Sequence, residues 1–179
     1  MCTSFIPWLF CSETYQRITV EEELRNQAFA HLSILRNKNI SLLENITEKQ
    51  ALIIPEKFSN NLYWQAGHIL TTQMSLLYRR SNLEMPLINK KYISFFAKGT
   101  SPSDFDSEIP TFKNVLHELK ESLSALQNDL HNYSKAKYDV PVLVSFGMTL
   151  HSFHDAVLAI PYHEAYHLNA INLILKQIK

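Results

Sequence analysis

The chain has 179 residues, enough for one domain whose core can hold the fold without disulfides or a structural metal. Seventeen basic residues balance seventeen acidic ones, and no basic run suggests a nucleic-acid stripe or an anchor on an anionic membrane. Three glycines (Gly67, Gly99 and Gly147) are too few for the turns of a barrel or sandwich, or for a glycine-rich phosphate loop, so the composition favours helices.

Taken in chain order, residues 1–17 read as an irregular arm. Phe5 to Phe10 is apolar but short, is broken by Pro7, and lacks the charge pattern of a signal peptide. Cys2 and Cys11 are the only cysteines, and two thiols in this arm cannot build a disulfide framework. No run approaches the roughly 20 apolar residues that span a bilayer. The expectation is a soluble, cytoplasmic protein with no membrane partner.

A first helix is predicted over about 20–46, opened by the capping spacing of Thr19 and Glu22. Leu24, Ala28, His31, Leu35, Leu42 and Ile46 recur at helical spacing and define its expected inner face. After Pro55, the pair Asn60-Asn61 can cap a second helix ending near Ser81, with Trp64, His68, Thr71, Ser75 and Tyr78 three or four residues apart. Residues 82–110 hold Pro86, Gly99, Pro102 and Pro110, and read as a long connection that covers something or crosses a bundle.

A third helix follows from about Thr111, its stripe running from Phe112 through Leu119 and Leu126 to Tyr133, with His117 on the opposite, solvated face. Val140 to Phe146 is β-branched and apolar but contains Pro141, which predicts an extended connector rather than a paired strand. Ser152 and Asp155 repeat the capping spacing, and a fourth helix runs from there almost to Lys179. With no repeat or linker, the architecture predicted is an all-α four-helix bundle, one domain over 1–179, with a long second connection.

The sharpest chemical signal is His163-Glu164-Ala165-Tyr166-His167. Histidines four apart project from one helix face, the spacing that lets two imidazoles reach one ion, and both fall on the side of Ile160, Ile171 and Ile174. A buried pair would need partners that a shared cation supplies at once. The alternative is a pair satisfied by hydrogen bonds in a helix interface. The five residues also match the H-E-x-x-H pattern of zinc peptidases. No His, Cys, Asp or Glu follows His167 to serve as a further ligand, however, so Glu164 reads as a polar residue flanking the interior, a candidate outer partner of a metal site. A third ligand must come from upstream. His68 is the best candidate, His31 competes with it, and His151 and His154 read as cap or pocket-rim residues.

The stretch Asn61-Leu62-Tyr63-Trp64-Gln65-Ala66-Gly67-His68 resembles the second-helix motif of the DinB/YfiT-like superfamily. Phe95-Phe96-Ala97-Lys98-Gly99-Thr100-Ser101-Pro102 resembles its connection, and Pro161-Tyr162-His163-Glu164-Ala165-Tyr166-His167-Leu168 its last-helix H-x-x-x-H signature. The three stretches come in the family's order and span residues 61–168. After His167 the family frequently has Gly-Gln where Asn169-Ala170 stands here.

The resemblance implies an up-down-down-up bundle holding a divalent metal, commonly zinc or nickel, on His68, His163 and His167. It further implies a small-molecule substrate and a low-molecular-weight thiol as partners. Relatives include thiol-dependent S-transferases and a mycothiol-dependent isomerase. Bundle relatives often pair, and the apolar arm of residues 1–17 is a candidate surface for a homodimer. Two functions follow as expectations: a metal-dependent thiol S-transferase or hydrolase, and a non-catalytic stress-response binding or interaction module on the same scaffold.

Overall fold

The computed structural model describes residues 19–178 except Leu87 and Asn89, so the expected arm with Cys2 and Cys11 lies outside the described residues. Four long helices dominate: α1 (Val20–Leu43), α3 (Leu62–Leu77), α5 (Phe112–Asn132) and α6 (Phe153–Gln177). Between them lie two short helices, α2 (Glu48–Ala51) and α4 (Lys90–Phe96), and a two-stranded sheet of β1 (Lys137–Leu143) and β2 (Thr149–Ser152). The long helices meet around a ring, α1 and α3 each packing against both α5 and α6. Their buried apolar residues form one core cluster. No helix of the described residues is long and apolar enough to cross a membrane.

The helix starts follow from short polar side chains that accept the otherwise unpaired first-turn N–H groups. Thr19 accepts from Glu22 N (3.2 Å), Asn61 from Trp64 N (2.8 Å), Thr111 from Asn114 N (3.2 Å) and Ser152 from Asp155 N (3.1 Å). The first helix stops at Leu43 rather than near 46, because Thr47 opens α2 with a complete capping box on Gln50.

Two expectations fail. Val140 to Phe146 is not an unpaired connector: β1 and β2 form an antiparallel hairpin in which Val142 faces Leu150 and Leu143 faces Thr149. Pro141 is tolerated because it lies in an irregular stretch, between the pairs Lys137–Ser152 and Val142–Leu150, where no regular ladder hydrogen bond is demanded of it. Gly147 makes the turn with φ of 85°, a conformation that disfavours other residues.

The inner face of α1 is also not the one its apolar spacing suggests. Buried positions are Arg25, Ala28, Leu32, Arg36, Asn39 and Leu43, whereas Leu24 and His31 are exposed.

The displaced face exists to carry a buried polar network. Arg36 and Glu164 are both fully buried, and Arg36 Nε and Nη2 form a bidentate pair with the Glu164 carboxylate at 2.8 and 3.0 Å. Arg36 Nη1 donates to Leu119 O (2.9 Å) and Ser122 Oγ (2.5 Å), and Nη2 also donates to Gln73 Oε1 (2.7 Å), so all five guanidinium N–H groups are used. Asn39 Nδ2 adds a bond to Glu164 at 3.0 Å. One side chain therefore ties α1 to α3, α5 and α6.

Removing one partner of a buried pair leaves the other charge uncompensated. Arg36→Met should therefore cost about 3–5 kcal/mol in urea unfolding, whereas His31→Ala, on the exposed side of the same helix, should stay within about 0.5 kcal/mol.

Candidate metal centre

The elements that carry the site are α3 and α6. All residues of α3 are buried except Thr72 and Ser75, so this helix runs through the core with a single open strip. His68 lies on that helix. From α6 come His163 and His167, one turn apart, and the three imidazoles meet: ring centroids are 5.2 Å apart for His68–His163, 5.0 Å for His68–His167 and 4.3 Å for His163–His167. One ligand nitrogen from each lies within 4.8 Å of the other two. That is the scale on which imidazole nitrogens surround one ion at bonds of about 2.1 Å.

Hydrogen bonds set the direction of two of the rings. His68 Nδ1 lies 2.7 Å from the Phe96 carbonyl, which can only accept, so the proton sits on Nδ1 and the Nε2 lone pair is left free. His167 Nδ1 lies 2.5 Å from Gln65 Oε1, with the same result. His167 Nε2 and His163 Nε2 are 3.1 Å apart, and Thr72 Oγ1 stands 3.4 Å from His68 Nε2. Two lone-pair nitrogens, His68 Nε2 from α3 and His167 Nε2 from α6, thus converge beside His163 Nε2. This is the donor set a borderline divalent cation takes, and the three histidines could hold a metal ion.

The electrostatics agree. Burial disfavours the imidazolium form, and the neighbouring cationic groups add to it. His163 is lowered to about 3, by burial first and then by His68 and Arg36; His167 is lowered to about 2, by burial and then by His163 and His68. His68 is lowered by burial, with Lys98 adding to the effect and the bond to Phe96 opposing it. All three are neutral at ordinary pH, the form that binds metal.

The second helix and the connection after it are built around this arrangement. Trp64 stacks on His68 with centroids 4.3 Å apart and planes at 11°. Trp64 Nε1 donates to Thr100 Oγ1 (2.9 Å), whose hydroxyl lies 2.8 Å from both the Phe95 and Ala97 carbonyls. Gly67 is required by contact rather than by φ, because a Cβ there would lie 2.3 Å from the Phe96 ring. Phe96 can therefore press onto α3 and present its carbonyl to His68.

Above the histidines lies a cavity of about 330 Å³ reached by His68 and His163. The end of α4 and the hairpin wall it.

Of the other residues singled out in the sequence, Trp64 belongs to the site, but Tyr78 is a core residue bonded to Asp129 (2.8 Å). His31 and His117 are exposed and take no part. His151 and His154 are not at the rim of the cavity: the His151 N–H donates to Asp155, and His154 meets Arg25. Glu164 makes no hydrogen bond to the histidines among the described residues and is committed to Arg36 and Asn39. It cannot serve as the free base that the zinc-peptidase pattern requires. Sequence reasoning assigned no role to Gln65 or the Phe96 carbonyl. Gln65 stands three residues before His68 in the quoted stretch, but a backbone acceptor has no sequence signal.

The sequence model of the DinB superfamily matches residues 31–171, a span that contains all three histidines. No curated protein matches the chain.

Three outcomes follow. Gln65→Leu should weaken metal affinity by about 10–100-fold while leaving the helices intact, as measured by competition with a chelating dye. Gly67→Ala should push Phe96 off α3 and reduce affinity in the same assay although no ligand is changed.

The third concerns pH after chelation. Unfolded histidines take up protons near 6.5, whereas the folded site refuses them until pH nears 3. Stability should thus be complete above about pH 6.5 and fall progressively towards pH 3, and the slope should flatten in His163→Gln.

Proposed function

This chain belongs to the DinB superfamily, and on that premise we propose that it is a metal-dependent enzyme of the thiol S-transferase or hydrolase kind. The ligands in this reading are His68, His163 and His167, the ion is zinc or nickel, and the scaffold is a four-helix bundle in up-down-down-up order. The observation that carries it is that two of the three neutral imidazoles, His68 and His163, reach the floor of one cavity while His167 lies behind them. Three neutral ligands leave an ion its full charge and an open position on the cavity side. A divalent ion held there supplies the charge that makes a nucleophile of a thiol or of water at neutral pH.

The chain's own groups do the rest. The Phe96 carbonyl and Gln65 keep the protons of His68 and His167 on Nδ1, away from the cavity. The stacked Trp64 ring closes one side of His68 to water. Thr72 presents a hydroxyl beside His68 Nε2, placed to hydrogen-bond a group entering from the cavity. Glu164, neutralised by Arg36, fixes α6 without taking a proton from the substrate.

The test is zinc and nickel content of the purified protein, followed by turnover of a model electrophile with a small thiol. One metal per chain and thiol-dependent turnover are expected, both lost in His68→Ala, His163→Ala and His167→Ala with helicity kept. Turnover unchanged after complete metal removal would refute the reading.

A further inference from the structure

The cavity above the histidines has a second end. The strip of α3 left open by the core runs from His68 past Thr72 and Ser75, and Arg79 follows directly after the helix. Arg79 turns back along that strip, its Nε donating to Ser75 Oγ at 3.2 Å, so the guanidinium rests near the level of Ser75 with its two terminal nitrogens unspent. Arg80 also lines the cavity at this end, whereas Lys98 lines it on the side of the histidines, its Nζ reaching across to Ser145 Oγ of the hairpin turn at 3.2 Å. None of these three cations has a carboxylate partner among the described residues.

No acidic residue lines the cavity at all, although the chain as a whole carries no net charge. Arg79 and Arg80, exposed at one end of a partly apolar cavity that holds no counter-charge, favour an anion entering that end.

We propose that this end of the cavity is the binding subsite for a carboxylate, so that the ligand of the site is a small acidic molecule with its reactive group at the histidines and its carboxylate on Arg79 and Arg80. The proposal rests on the metal-dependent reading above for the position of the reactive group, but the subsite itself rests on the cations alone. Its reach is set by the helix. His68 and Ser75 are two turns apart, about 10 Å along the axis, so the ligand spans that length along the Thr72–Ser75 strip. The apolar side chains Ile93, Val142 and Ile160 flank its middle.

The experiment measures the affinity of the zinc-loaded protein for three thiols of equal chain length, ω-mercaptohexanoate, ω-mercaptohexanol and ω-mercaptohexylamine. The acid should bind about tenfold more tightly than the alcohol, and the amine most weakly. Arg79→Gln and Arg80→Gln should each reduce the acid's advantage several-fold without changing the alcohol's affinity or the zinc content, and Arg79→Glu should favour the amine. The shorter ω-mercaptopropionate, unable to span the strip, should lose the advantage.

Equal affinity for acid and alcohol in the unaltered protein overturns the subsite, as does an advantage that survives in Arg79→Gln/Arg80→Gln. Failure to hold either zinc or nickel refutes the metal reading instead. Hexanoate and hexanol, which carry no thiol, then decide the subsite, since their difference depends on the cations only.

Discussion

A guanidinium sealed from water in the middle of a helical protein is stable only if every N–H group finds an acceptor and its charge finds a partner. Arg36 meets both conditions by drawing on the three other long helices, and the rest of the structure is arranged to let it do so. It sets which face of α1 turns inward and gives Glu164 its partner. It also fixes the rotation of α6 about its axis. Because Glu164 lies between His163 and His167 in sequence, the orientation that satisfies Arg36 also brings both imidazoles up to His68. Replacing such a pair by apolar residues often costs little stability, so its value here lies more in a unique helix rotation than in binding energy.

The same dependence explains how far the sequence could be read. Helix starts were legible because a cap is local: Thr19, Asn61, Thr111 and Ser152 each act within three residues. His163 and His167 were legible because four residues make one turn, and His68 because it stands on a helix with little polar face to spare. The inner face of α1 was not. Hydrophobic spacing assumes that the core is apolar, and here Arg25, Arg36 and Asn39 occupy it. His31 looked internal for that reason alone. The hairpin was hidden by Pro141, whose missing N–H argues against a strand unless the partner strand happens to be irregular at that point, as it is here.

The candidate centre shows a division of labour between tightly packed and open surface. His167 is supported from beneath by Gln65, and His68 is clamped between Trp64 and the Phe96 carbonyl. Only the cavity side is open, and the residues there are mostly hydroxyls, cations and the hairpin. On the proposed reading, chemistry and recognition occupy the two ends of one strip of α3, and neither end has to be rebuilt for the other to vary.

The two ways of holding a histidine proton differ in what mutation can do to them. Gln65 is a side chain, so a single base change can remove it and release His167. The acceptor for His68 is a main-chain oxygen, which every residue at position 96 would possess. Substitution there can displace it but never delete it, and what keeps it in place is the absence of a side chain at Gly67. Across a lineage the orientation of His68 is therefore guarded by a glycine that makes no polar contact of its own, while that of His167 is open to drift.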